Sequence, residues 1–339
     1  MKALWFVAAL LIALVAGCQS LSYYTQAIGG HLKVLSRARP VPEWLADPST
    51  PPELRQRLQT AQRIREFASA HLKLPENNSY SAYADLNRSY VVWNVFAAPE
   101  FSVEPKNECF PFVGCVAYRG FYSENDARRH AAKLREAGFD VYVGGVPAYS
   151  TLGWSDDPLL STFIGYSDAQ LARLVFHELA HQLVYVRDDT TFNESFAVAV
   201  EEEGVKRWLE HEGRSSDRSK DLADFRAAQA RKREFAERVT QTRERLAAVY
   251  KMELSREAKL EHKRGEWERL RASYPMLPAE PNNAFLASIA VYTELLPAFE
   301  RLLAESGSLE SFYKRVKSLA RDRSTREAYF MKAGYRRPS

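Results

Sequence analysis

The residues best equipped for chemistry are Phe176-His177-Glu178-Leu179-Ala180-His181-Gln182. On a helix, residues four apart project from one face, one turn apart, so His177 and His181 present two imidazoles with Glu178 beside them. Two imidazoles leave a zinc ion short of ligands, so a third protein group must come from elsewhere, with a fourth position open to water. Asn193-Glu194-Ser195-Phe196-Ala197 supplies the candidate, Glu194. One zinc ion held by His177, His181 and Glu194 would lower the pKa of its water, and Glu178 is suited to take that proton and pass it to a leaving amine. The pattern predicts hydrolysis of peptide bonds.

With seven histidines in 339 residues, a chance His-Glu-x-x-His arises in roughly one such chain in a hundred, so the surrounding elements must decide. Ser167-Asp168-Ala169-Gln170 is a capping box that opens a helix ten residues before His177. Leu171, Val175, Leu179 and Leu183 form an apolar stripe roughly opposite the two histidines. One face packs and the other looks into a cleft. A second helix is predicted from Asn193 to about Glu212, ended by Gly213. Glu194 and Glu201 are seven apart and share a face of it, so Glu201 can reach the same cleft and orient a histidine. Glu202 and Glu203 follow it, however, and acidic runs usually face water.

The elements around this pair predict a predominantly helical α+β fold. Tyr90–Ala97, Val113–Tyr122 and Gly138–Gly145 read as strands of a small mixed sheet, with a helix at about 124–137 between the last two. Gly145 to Trp154 is the candidate edge strand for extended substrate, because Pro147 cannot donate to a ladder. Tyr149, Ser150 and Thr151 could then touch substrate, or equally be ordinary polar groups of a loop. Residues 217–274 are dense in Arg, Lys and Glu with a narrow apolar seam, which predicts a long helical hairpin. It could gate the cleft, bind a partner or brace the molecule, and the last is the default. Helices at 282–299 and 309–320 follow, with a loose basic tail from Arg321 to Ser339. The chain divides into a leader (1–17), an N-terminal helical segment (18–89), a core with sheet and metal site (90–213), the hairpin (214–275), C-terminal helices completing the cleft (276–325) and a tail (326–339).

Met1 and Lys2 precede an uncharged apolar run from Ala3 to Ala16, too short to span a membrane, that ends at Val15-Ala16-Gly17-Cys18. This reads as a secretory signal. Cys109 and Cys115 are then in a compartment that permits disulfides, and Pro111 and Gly114 suit a tight turn between them, so the two are predicted to pair. With 47 basic against 43 acidic side chains, no nucleic-acid footprint follows.

Cysteine directly after small residues resembles the lipobox of bacterial lipoproteins. That resemblance implies lipidation of Cys18 and a membrane anchor, and Gln19 in place of Asp favours the periplasmic face of the outer membrane. His-Glu-Leu-Ala-His-Gln with Asn-Glu-Ser-Phe-Ala-Val-Ala-Val-Glu resembles the gluzincin aminopeptidases over about residues 167–205. There His177, His181 and Glu194 match as zinc ligands, Glu178 as the base and Glu201 as the trailing glutamate. A zincin-like core is implied, with a downstream tyrosine or histidine stabilising the oxyanion. Tyr292 is the nominee, with Tyr149 in reserve. No Gly-x-Met-Glu-Asn segment precedes the metal helix, and Gly144-Gly145-Val146-Pro147 carries no carboxylate in its place. Over most of the chain, Tyr-Val-Val-Trp-Asn-Val-Phe-Ala-Ala-Pro-Glu and Gly-Gly-Val-Pro-Ala-Tyr-Ser-Thr-Leu-Gly-Trp are similar to a family of bacterial lipoproteins called putative aminopeptidases. The expected activity is that of a membrane-anchored zinc metallopeptidase acting on peptides, an aminopeptidase by the resemblance, with a zinc endopeptidase of the same type as the alternative. The competing reading is a non-catalytic envelope lipoprotein that binds a partner through its hairpin.

Overall fold

A computed structural model describes residues 23–111, 113–212, 218–274, 277–278 and 280–335. The leader, Cys18 and Gly213 lie outside the described residues. A helix over residues 23–35 (α1) leads into β1 (Ala38–Pro40), α2 (Val41–Ala46), α3 (Pro52–Ala70), β2 (Ala82–Ala84) and β3 (Val92–Pro99). Then come β4 (Glu108–Phe110), β5 (Gly114–Val116), β6 (Tyr118–Phe121), α4 (Glu124–Glu136), β7 (Phe139–Val146) and β8 (Leu159–Leu160). The rest is helical: α5 (Asp168–Leu183), α6 (Thr190–Glu212), α7 (Arg218–Lys251), α8 (Arg256–Ser273), α9 (Asn283–Thr293), α10 (Leu296–Ser306), α11 (Leu309–Arg321) and α12 (Arg323–Lys332). The fold is a predominantly helical α+β arrangement, as the periodicities require.

Strand alternation decides what each face of the principal sheet meets. β3 is central, with β6 and β7 antiparallel on either side. Val95, Ala97, Phe121 and Val141 point one way, onto Ala127 and Ala131 of α4. Phe96 and Ala98 point the other way, onto Ala284 and Val291 of α9. The sheet therefore seats α9, the helix that carries Tyr292. The expected mixed sheet is in fact wholly antiparallel. Mixed pairing occurs instead in an unpredicted sheet, β1-β2-β8, whose strands are too short to show an alternation. Cys109 and Cys115 face each other across the β4–β5 hairpin and are disulfide-bonded.

Two expectations need correction. The segment 145–154 is not an edge strand: β7 stops at Val146, and from Pro147 the chain is a loop whose Pro147 carbonyl accepts from Thr162 Oγ1 at 2.6 Å. The tail is not loose over 323–332. Asp322 caps α12 by accepting from the Thr325 N–H at 2.7 Å, and Phe330 is buried against the rings of Phe192 and Phe299. A few anchors among many surface cations hold this helix, which composition alone conceals.

The main core gathers around α5 and α6, where Phe176, Phe192, Phe196, Trp208, Phe299 and Phe312 are fully buried. Gly204 sets how closely these two helices approach. A Cβ there would lie 2.7 Å from Phe176 Cδ2 and 2.8 Å from Leu72 Cδ1.

Candidate metal centre

Helix α5 is fixed at its start before it delivers its histidines. Ser167 caps it, accepting from the Gln170 N–H, and Arg57 of α3 reaches across to Asp168 Oδ1 at 2.5 Å and the Ile164 carbonyl at 2.9 Å. From this base the helix carries His177, Glu178 and His181 into a cavity of about 1950 Å³.

The connection to α6 is clamped by Asn193. Its Oδ1 accepts from the Val186 N–H and its Nδ2 donates to the Val186 carbonyl, both at 2.7 Å. A buried amide satisfied on both sides leaves the next residue no freedom of register. That residue is Glu194. Ser195 follows, accepting from the Leu295 N–H at 3.3 Å and lying 3.5 Å from the Val291 carbonyl. Asn193 fixes the ligand's loop, and Ser195 couples α6 to the segment bearing Tyr292. Neither role was read from the sequence, where Asn and Ser served only to recognise the motif.

The three donor groups converge. His177 Nε2 lies 3.1 Å from His181 Nε2, and Glu194 Oε2 lies 3.3 Å and 3.6 Å from them respectively. A tetrahedral ion with bonds of about 2.0–2.1 Å sets its ligand atoms about 3.3 Å apart, so these atoms fit a divalent ion. Charge agrees with distance. Burial opposes charging His177, yet the carboxylates of Glu194 and Glu201 outweigh it and lift the imidazole to about 10. Burial likewise opposes ionising Glu194, but the imidazoles of His181 and His177 draw it down to about 2. The buried carboxylates thus favour positive charge at this point.

Glu201 is fully buried despite the acidic run that follows it. It accepts from His177 Nδ1 at 2.8 Å and from Arg173 Nη1 at 3.2 Å. Burial raises its pKa, but Arg173 and His177 more than compensate, bringing it to about 2. Once an ion displaces the Nε2 proton, a carboxylate on Nδ1 would keep the remaining proton there and leave the Nε2 lone pair for the ion.

Two tyrosines missed in the sequence also face this group. Tyr118 of β6 donates to Glu194 Oε1 at 3.4 Å, so one carboxylate oxygen faces the histidines and the other this hydroxyl. Tyr185, next to the ligand loop, is held by the Val113 carbonyl at 3.0 Å, and Glu194 adds to the burial that raises its pKa to about 12. The signal for Tyr118 was strand alternation, since Val116, Tyr118, Gly120 and Tyr122 all line the cavity. Among the strands that line the cavity, β6 is the one whose side chain reaches Glu194.

Glu178 lines the same cavity and has no hydrogen-bond or ion-pair partner among the described residues. Burial raises its pKa above the ordinary glutamate value, against the pull of His177 and His181. Tyr292 places its ring 6.3 Å from that of His177, and its hydroxyl has no hydrogen bond among the described residues. Burial first, then Glu194 and Glu178, raises its pKa well above the usual value. Tyr149 lines the cavity too, but its hydroxyl is engaged by His31 Nδ1 at 2.7 Å.

The hairpin is part of the site. Helix α7 lines the cavity from Lys232 to Lys251, a rise of about 28 Å.

A family model described as putative aminopeptidase matches residues 22–331. No curated protein and no solved structure matches the chain.

Proposed function

The chain belongs to the putative aminopeptidase family, and from that premise we propose a zinc-dependent metallopeptidase that attacks peptide bonds with water. The observation that carries this is the convergence of His177, His181 and Glu194 within 4.8 Å of one another, beside an unpartnered Glu178. A divalent ion held there supplies Lewis acidity to a peptide carbonyl and to water.

The chain's own residues do the rest. Glu178, buried and raised in pKa, accepts a proton from the attacking water and returns it to the departing amine. Tyr292 donates its hydroxyl to the oxygen that gains charge as the carbonyl is attacked. Glu201 keeps the proton on His177 Nδ1, and Tyr118 holds the second oxygen of Glu194. As at the sequence level, Cys18 is the proposed lipid anchor and the periplasmic face of the outer membrane the proposed location.

The length of the α7 wall favours cutting within chains over trimming their ends. About 28 Å accommodates about eight extended residues, more than a terminal dipeptide needs. The test is loss of peptide hydrolysis on chelation, its return with stoichiometric zinc, and loss of both zinc and activity in His181→Ala. Full activity in the chelated protein defeats the proposal.

A further inference from the structure

The lining of the cavity divides sharply in composition. Among the described residues that line it, none from Tyr23 to Ser155 is Asp, Glu, Lys or Arg. From Arg173 onward the lining is dense in charge, including Glu202, Arg233, Glu237, Arg243, Glu244 and Glu300.

Contacts within each set tie its members together, and the two sets meet at the metal-binding group, where Tyr118 reaches Glu194. In the uncharged half, His31 of α1 joins Tyr149 at 2.7 Å and Ser155 at 3.2 Å, Tyr122 packs edge-on against Tyr149 at 5.5 Å, and Tyr23 lies 5.4 Å from Phe110. In the charged half, Arg233 bridges Glu202 and Glu300 at 2.9 Å and 2.6 Å, and Arg243 meets Glu294 at 3.3 Å. The metal-binding residues lie between. Glu201 meets Lys232 of the charged half at 3.9 Å.

The 149–155 loop is braced well beyond what a surface connection needs. Asp157, 2% exposed, accepts from the Thr151 N–H at 2.9 Å. Thr151 Oγ1 donates to the Ser155 carbonyl at 3.1 Å, and the Trp154 N–H closes a turn on the Thr151 carbonyl at 3.1 Å. The turn runs through left-handed Leu152 (φ +57°) and Gly153 (φ +82°), and a branched side chain rarely accepts that conformation. The residue so presented is Trp154, on the cavity wall and 73% exposed.

We infer that this aromatic half, with Trp154 at its rim, receives an aromatic or large aliphatic side chain on one side of the cut bond, while the α7 half receives charged residues on the other. The inference rests on the peptidase reading and names its substrate class. A charged side chain entering the aromatic half would lose hydration and meet no counter-ion in the lining. An aromatic one would stack and exchange apolar surface. Behind that wall, Asp157 Oδ2 accepts from the Thr151 N–H and Arg88 donates to the carbonyls of Tyr122 and Val91, and neither side chain lines the cavity.

The test is digestion of a degenerate peptide library by the purified zinc-loaded chain, by Trp154→Ala and by Trp154→Phe, with every cut position mapped. Affinity of the same peptides for Glu178→Gln, with and without Trp154→Ala, is measured alongside. At one position flanking the cut, Phe, Tyr, Trp and Leu are expected about tenfold or more over Asp, Glu, Lys and Arg. Trp154→Ala flattens that preference, and Trp154→Phe restores it. Cleavage without such a preference, or an unchanged preference in Trp154→Ala, overturns the inference and leaves the peptidase reading standing. Aromatic-selective binding that depends on Trp154 without cleavage sinks the peptidase reading and keeps the two-sided cleft. Neither binding nor cleavage defeats both.

Discussion

His177 Nδ1 and Glu201 Oε2 lie 2.8 Å apart, joining helix α5 to helix α6 inside the protein. In the proposed site the bond would fix the tautomer of one of the two candidate ligand histidines, and Arg173 and Lys232 hold the carboxylate in turn. Replacing Glu201 with Gln keeps an acceptor but removes the charge. Zinc affinity is expected to fall about 10- to 100-fold, read by competition with a chromogenic chelator. Affinity within twofold of the wild type would show that Glu201 does not support the ligand.

Tyr292 offers a hydroxyl to the cleft without contributing a metal ligand. Tyr292→Phe should lower kcat about a hundredfold, near 3 kcal/mol, with KM changed little. A rise in KM at constant kcat would move Tyr292 from the oxyanion to substrate binding.

Asp157 is a buried carboxylate whose pKa burial raises to about 7, against the pull of the Thr151 hydrogen bonds. Below about pH 4 both folded and unfolded chains are protonated there, and no penalty arises. As pH rises to about 7 the unfolded chain ionises and the folded one resists, so stability falls over that window and levels off above it. Asp157→Asn keeps an acceptor for Thr151 and removes the ionisation. Relative to wild type it should gain stability between pH 4 and 8, on the order of 2–4 kcal/mol, in urea unfolding at each pH. Parallel curves for the two proteins would contradict the burial argument.

Gly204 lies where α6 crosses Phe176, the residue before His177. An alanine in a helix interior ordinarily stabilises by about 1 kcal/mol relative to glycine. Here its Cβ would overlap Phe176 and Leu72, and overpacking of a close contact costs about 1–3 kcal/mol. Gly204→Ala should lower Tm by several degrees, with weaker zinc binding because the ligand helix shifts. A raised Tm would mean that the two helices part at no cost.

Local periodicity made much of this legible. The cap at Ser167, the stripe from Leu171 to Leu183 and the four-residue histidine spacing all report one helix, and one helix is what forms. Glu201 was readable from spacing alone, although its neighbours Glu202 and Glu203 argued for solvent. What stayed hidden depends on contacts between distant segments. Tyr118 reaches Glu194 only because β6 is an edge strand facing α6, and Asn193 acts through a loop whose course no motif states. Pro147 marked a real boundary, but it ends β7 and begins a loop, since a residue lacking an N–H can do either. Helix α7 looked like a brace because its polar face reads as solvent-facing, and that face lines the cleft.

The most direct measurement is peptide-library hydrolysis by the wild-type chain beside Glu178→Gln, with zinc content determined in both. The account predicts one zinc in each protein and cleavage by the wild type alone. Comparable cleavage by Glu178→Gln, or one zinc in each with no cleavage by either, would contradict it.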